Sequence, residues 1–277
     1  MKKALIIVIT LLIGAMLFTG CSSNFGGYIY ADSDLYTIGG GNIAVEGISK
    51  FNINWIAGEV IIESHDGDEI ELIEENEGEL EEKDRGRYLV KNGILYVKFF
   101  APRNIVNIAL NSAVQNKKIT IKIPQTLDIE QIDIDVVSAQ CMLTDIDADK
   151  ITVDSVSGDK IFEGVTCDTL IIDSVSGAIN VFAAAGDTNI NSVSGNIVMQ
   201  YMAMPAKLEI DSVSGNIEIK LPENEEGFTF KRDSVSGSFN SDFALTWNGS
   251  TAKYKTGGST DIQIDTVSGN VRLTKMI

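Results

Sequence analysis

One side chain recurs along this chain in a position to do chemistry: the carboxylate that opens the pentapeptide Asp-Ser-Val-Ser-Gly. The pentapeptide stands at Asp154–Gly158, Asp173–Gly177, Asp211–Gly215 and Asp233–Gly237. Near-copies stand at Asn191–Gly195 and Asp265–Gly269, and looser ones at Asn54–Gly58 and Asp135–Ala139. If the units stack, equivalent carboxylates lie about 4.8 Å apart and repel unless they are screened or bridged by a cation. Calcium takes six to eight oxygens, so Asp154, Asp173 and Asp211 are the candidate ligands for such an ion. The competing reading is a corner in which each Asp bonds nearby backbone amides, and nothing here matches a known calcium loop. The corner reading is preferred, and no metal is expected.

Other chemistry is sparse. The single histidine, His65, falls in a predicted turn. The motif serines repeat by structural role, and nothing like a nucleophile elbow surrounds them. No glycine-rich phosphate loop precedes a helix, so no cofactor is implied and the chain reads as a non-enzyme. Cys141 falls at an inward apolar position and Cys167 begins the next strand run; a disulfide between them depends on geometry the sequence does not give.

The elements that carry the carboxylates follow from the spacing. Successive motifs begin 19, 18, 20, 22 and 32 residues apart from Asp154 to Asp265. A period of about 20 residues marks one structural unit used repeatedly. An apolar residue precedes the motif in every copy (Ile53, Ile134, Val153, Ile172, Ile190, Ile210, Ile264) except at Arg232. Another follows it at Val60, Cys141, Ile179, Ile197, Ile217, Phe239 and Val271, with Ile161 one residue late. Alternation such as Leu208-Glu-Ile210 has period two, the signature of strand. So short a unit cannot bury its own apolar face, but stacked copies can. The expected fold is all-β: a parallel β-solenoid (β-helix) with an irregular N-terminal cap and a hairpin excursion near the C-terminus.

The repeat residues are Val156 and Gly158, Val175 and Gly177, Val193 and Gly195, Val213 and Gly215, Val235 and Gly237, and Val267 and Gly269. On a straight strand each valine would point outward. A corner at Asp-Ser would shift the parity and turn it inside, which is the preferred reading. The rival is an outward valine ladder, itself a docking surface. Glycine suits a place of close packing or unusual backbone angle.

In chain order, Met1–Gly20 reads as a secretory leader, with Lys2 and Lys3 before an uncharged apolar run from Ala4 to Phe18. Leu17-Phe18-Thr19-Gly20-Cys21 resembles a lipobox, which makes Cys21 the expected lipidation site. Residues 21–42 read as a lipidated tether, 43–126 as irregular β coils and hairpins, and 127–277 as the regular repeats. Within the second of these, Glu59–Asp84 carries thirteen acids and Glu74–Gly86 reads as an exposed loop. Asn92-Gly93 is a hairpin signal, and Val106–Leu110 and Ile119–Ile123 are further strands. Near the end, Phe243–Gly249 and Tyr254 form the hairpin excursion with its own aromatic cluster. The last strand, Val271–Leu273, is expected at an edge blunted by Lys275.

The net charge is −17, from 22 basic and 39 acidic residues. Without the leader lysines the balance is 20 against 39, or −19. Such a charge repels nucleic acid and anionic headgroups and keeps a long β structure soluble.

The run Lys118-Ile-Thr-Ile-Lys-Ile-Pro124, the Ile-x-Ile-Asp strands and the Ser-Gly-x-Ile rungs together resemble the putative-adhesin family of bacterial envelope domains, over roughly Ile43 to Val271. The resemblance implies a β-solenoid at the cell surface and no known activity. The expected protein is exported to the outer face of the bacterial cell membrane, held there by its lipid, and faces an envelope protein or cell-wall glycan. The alternatives are an envelope-stress signalling partner and a polysaccharide-active β-helix enzyme. The enzyme ranks lower because an acidic groove with few arginines repels an acidic polymer.

Overall fold

The computed structural model describes residues 27–104 and 112–276. The leader, Cys21 and the predicted strand Val106–Leu110 lie outside the described residues.

The strands are short at the start: β1 (Gly27–Tyr28), β2 (Thr37–Ile38) and β3 (Gly41–Ala44) precede the long β4 (Lys50–His65) and β5 (Glu69–Glu75). Then come β6 (Arg87–Lys91), β7 (Ile94–Lys98), β8 (Arg103–Asn104), a one-turn helix α1 (Ser112–Gln115) and β9 (Lys118–Pro124). The repeats supply β10 (Gln131–Thr144), β11 (Asp147–Ser155), β12 (Lys160–Ser174), β13 (Ile179–Ser194), β14 (Ile197–Tyr201), β15 (Lys207–Ser214) and β16 (Ile217–Leu221). The last third gives β17 (Gly227–Ser236), β18 (Phe239–Ser241), β19 (Leu245–Asn248), β20 (Thr251–Lys255), β21 (Thr260–Ser268) and β22 (Val271–Lys275). The fold is all-β and solenoid-like. Among the described residues no helix is long and apolar enough to cross a membrane.

Parallel pairing stacks the repeats in register. Asp135 pairs with Asp154, Asp154 with Asp173, Asp173 with Asn191 and Asn191 with Asp211. One ladder, on the N-terminal side of each motif corner, runs β7–β4–β10–β11–β12–β13–β15–β21–β17. A second, beyond the corner, runs β9–β4–β10–β12–β13–β14–β16–β22–β18. The inward Ile, Val and Leu of both ladders form one core, with Ile53, Ile151, Ile172, Ile190 and Ile264 fully shielded.

The spatial order departs from chain order at both ends. The coil of β7 and β9 lies outside β4, so β4 pairs directly with β10. At the other end β21 and β22 insert between β15–β16 and β17–β18. The C-terminal strand is therefore an interior rung, not the expected edge. The outermost coil is instead β17–β18, which explains why Arg232 tolerates the column that is otherwise aliphatic. Its backbone pairs with Ile264 on one side, its N–H donates to the Ser250 carbonyl of the covering hairpin at 3.2 Å on the other, and its guanidinium donates to the Gly237 carbonyl at 3.1 Å.

Antiparallel strands close the ends, as unpaired edges require. β6 covers β7 through the Asn92-Gly93 turn, whose φ values of 54° and 77° fit the expected hairpin. β5 covers β9, which separates it from β4, so the turn at His65–Asp68 joins two strands that are not hydrogen-bonded to each other. The β19–β20 hairpin covers the first half of β17 and packs Phe228, Phe230, Phe239, Phe243, Trp247 and Tyr254 edge to face or stacked.

Two other expectations change. The tether expected through residue 42 is structured from Gly27, because β1, β2 and β3 pair with β8, β6 and β5. The acidic segment 74–86 is not simply exposed: Asp84 is buried, and the Glu74 side chain is only 4% exposed where it meets Lys117 at 2.9 Å.

Candidate functional site

Strand parity decides which motif residues reach solvent. Ile151, Val153 and Ser155 point inward, and Asp154 and Val156 point outward. The same holds in each regular rung: Ser155, Ser174, Ser192 and Ser212 are buried, and no motif valine belongs to the core. Val137 and Val235 are 46% and 55% exposed. The inward-valine expectation is therefore corrected for Val156, Val175, Val193, Val213, Val235 and Val267. The parity break falls at Ser-Gly, after the valine, and not at Asp-Ser.

The serines hold this corner. The first donates to the carbonyl of the second, as in Ser155 to Ser157 and Ser174 to Ser176, both at 3.1 Å. The second donates across the stack to the preceding rung, as in Ser157 to Val137 at 3.3 Å and Ser176 to Val156 at 3.1 Å. Their partners are thus carbonyls and not the amides expected of an Asx or Ser corner. At Gly195 φ is 126°, and a Cβ would overlap the Gly177 carbonyl oxygen. Gly158, Gly177, Gly215, Gly237 and Gly269 meet the carbonyl of a neighbouring rung in the same way.

Two outward columns result. One is Asx, in spatial order Asn54, Asp135, Asp154, Asp173, Asn191, Asp211, Asp265 and Asp233. Lys98 donates to Asn54, and Asn54 donates to Asp135. Asn191 donates to Asp173 at 2.7 Å. Burial first, then the Asp173 and Asp135 carboxylates, push the Asp154 carboxyl up to about 6. The parallel column is aliphatic: Ile56, Val137, Val156, Val175, Val193, Val213, Val267 and Val235. Of the proposed cation ligands, Asp154 and Asp173 are neighbours, but Asn191 separates Asp173 from Asp211. Among the described residues no group of three or more His, Cys, Asp or Glu is arranged to hold a metal.

Buried lysines are the residues the sequence reading missed. Lys160, not Ile161, takes the inward position between Cys141 and Ile179. Its Nζ donates to the Gly158 and Ser176 carbonyls, both at 2.9 Å, and to the Ser174 hydroxyl. Burial lowers its pKa to about 8. Alignment of the repeats by the motif would have found it, since it shares a column with Cys141 and Ile179. Lys117 lies over Trp55 and Phe99, at 4.8 and 4.3 Å, with Glu74 as its ion-pair partner. Cys141 and Cys167 are free, buried thiols; Cys141 pairs with Lys160, and Cys167 with Ala148 and Ala185. Burial pushes both thiols up to about 12, so they are packing residues and poor nucleophiles.

Solved structures with similar folds include a putative adhesin from Bacteroides fragilis, at 14% identity, covering 87% of this chain and 97% of that one with a TM-score of 0.46. A putative cell adhesion protein from Clostridium sporogenes is 15% identical, covering 87% and 100% with a TM-score of 0.33. A putative lipid binding protein from Parabacteroides distasonis is 14% identical, covering 86% and 96% with a TM-score of 0.37. Comparison with curated proteins gives no significant match. The family model described as Toastrack DUF4097 matches residues 48–274, and the chain belongs to that family.

Proposed function

We propose that this chain is a lipid-anchored protein of the bacterial cell envelope that works without catalysis, as a rigid scaffold presenting one face to a partner. The observation that carries the reading is the pair of outward columns. They repeat the same two side-chain types, one acidic or amide and one aliphatic, over eight rungs. A surface of that kind suits extended contact better than the turnover of a small substrate. The anchor rests on Lys2, Lys3, the apolar run from Ala4 to Phe18 and Cys21. The excess of acidic residues disfavours nucleic acid and acidic glycans as partners.

The test has two arms on intact cells. Palmitate labelling is expected on the wild type and absent from Cys21→Ala; equal labelling of both refutes the anchor. Chemical cross-linking of the native protein, read by mass spectrometry, is expected to capture one dominant envelope protein through residues beside the motif columns. Capture of wall polymer alone would instead favour adhesion to glycan and reopen the enzyme reading.

A further inference from the structure

We propose that the aliphatic column is a docking stripe for a basic amphipathic helix of the partner, laid along the stacking axis. This takes its cellular setting from the scaffold reading above, but its argument stands on the geometry.

The repeats supply their own control. Two residues before the Asx column lies another outward column, occupied by Asn52, Asp133, Thr152, Ile171, Glu209 and Lys231 among others. Its chemistry drifts from rung to rung, as a solvated position allows. The column at Val156 also faces outward, yet it is aliphatic in all eight copies. Burial does not demand this: Val235 and Val137 are 55% and 46% exposed, and the other six positions are half-buried, as are Asn52, Asp133, Thr152 and Glu209 in the column that drifts. Strand geometry asks at most for a branched side chain, which threonine would supply. An apolar stripe kept on the outside is the mark of a contact surface.

Charge selects the occupant. The Asx column runs along one flank of the stripe, with Asp in six of its eight rungs. On the other flank the motif serines spend their hydroxyls on carbonyls, as Ser157, Ser176 and Ser194 do. The partner therefore needs an apolar ridge with basic residues along one side. A second copy of this chain, itself at −17, or an anionic lipid surface would meet like charge.

Length and spacing favour a helix. Eight rungs at about 4.8 Å span about 34 Å, the length of a helix of about 23 residues at 1.5 Å each. A rung spacing of about 4.8 Å lies between the advances of i+3 and i+4 along a helix, about 4.5 and 6 Å. One face of a strand repeats only every 6.7 Å or so and falls out of step within a few rungs.

The probe is a synthetic helix of about 24 residues with a leucine ridge and lysines on one flank; its mate carries glutamates instead. Each is titrated by fluorescence anisotropy against the full-length protein in nanodiscs of neutral phosphatidylcholine, with empty nanodiscs as the blank. The lysine peptide is expected to bind at least tenfold tighter than its mate. The quadruple variant Val156→Thr, Val175→Thr, Val193→Thr and Val213→Thr is expected to keep its melting temperature and lose at least tenfold in affinity. If that variant misfolds, Val137→Thr alone, at the most open regular rung, is expected to weaken binding measurably. Equal binding of both peptides, no binding at about 100 µM, or undiminished binding by a folded threonine variant would overturn the proposal. So would self-association of the wild type that the threonine variant loses, which would assign the stripe to a second copy. Palmitate labelling reads the anchor independently, so a failed anchor and a failed stripe are told apart.

Discussion

The insertion of the C-terminal strands between two earlier coils makes a prediction that a stack in chain order does not. Ending the chain after Gly258 removes β21 and β22, which pair with β15 and β16 on one side and with β17 and β18 on the other. Four aliphatic side chains leave the core with them: Ile262, Ile264, Val271 and Leu273, each at 0% exposure. At about 2 kcal/mol for each buried side chain, the loss is about 8 kcal/mol before any hydrogen bond is counted. That is comparable with the whole stability of an ordinary domain, about 5–15 kcal/mol. In a stack built in chain order the same deletion would remove an end rung and leave its neighbour in place. Here it opens a gap inside the stack, and the outer coil from Gly227 to Lys255 loses its parallel partners.

Hydrogen exchange read by mass spectrometry on the intact and shortened chains is the assay. In the intact chain the amides of 262–266 are expected to be as protected as those of 208–212, because both strands are paired on two sides. Those of 233–241, on the outer rung, are expected to exchange faster although they lie earlier in the chain. In the shortened chain protection over 227–255 should collapse. Faster exchange at 262–266 than at 233–241 in the intact protein would refute the spatial order, whatever the shortened chain does.

Other predictions concern the corner and its buried groups. Gly195→Ala adds a clash with the Gly177 carbonyl to the strain of a positive φ, whereas Gly249→Ala meets open space and keeps the strain alone. In urea unfolding the first is expected to cost at least about 2 kcal/mol more than the second, and equal costs would show that the rungs are not in close carbonyl contact. Lys160 has a folded pKa near 8 against an ordinary 10.5, so the cost of burying its charge is full below pH 8 and relieved as pH rises to 10.5. Relative to Lys160→Ile, wild-type stability should therefore climb over that window by no more than about 3 kcal/mol, and a flat difference would refute the buried ammonium. Asp154, raised to about 6 from 3.8, costs stability as pH rises through that interval, so Asp154→Asn should raise the melting temperature at pH 7 and not at pH 3. No gain at pH 7, or a wild-type melt that calcium raises and chelator lowers, would show that the column is neutralised by something other than a proton.

The repeat was legible because its period, its apolar flanks and its glycines are local signals, and the register of Asp135 on Asp154 on Asp173 follows from them. The Asn92-Gly93 hairpin and the aromatic excursion were legible for the same reason. The order of the end coils was not. Parallel pairing of β15 with β17 or with β21 satisfies one pattern equally well; in the fold β21 takes that place and β17 lies outside it, where Phe228, Phe243 and Tyr254 pack under the hairpin. The facing of Val156 was not legible because the corner's position turns on one residue of parity, which local pattern places equally well at Asp-Ser or at Ser-Gly. The inward Ser155 is satisfied locally, its hydroxyl donating to the Ser157 carbonyl two residues on. Lys160 was hidden by the same habit: an inward lysine is read as a shifted isoleucine until its three acceptors are seen.

The two outward columns therefore have different standing. The Asx column is answerable to the fold: Asn191 interrupts the carboxylates, Asn54 and Lys98 close one end, and Asp154 is pushed toward its neutral form between Asp135 and Asp173. Those are devices that make a line of acids at rung spacing tolerable, and they would be unnecessary if the acids could be replaced without consequence. The aliphatic column has no comparable device, because an outward valine costs the folded state little and returns little. Its uniformity over eight rungs, beside a neighbouring column that changes freely, is what the fold leaves unexplained. A contact that needs both columns at once explains both: the acids are kept at some cost to stability, and the valines are kept on the outside, where the core has no use for them.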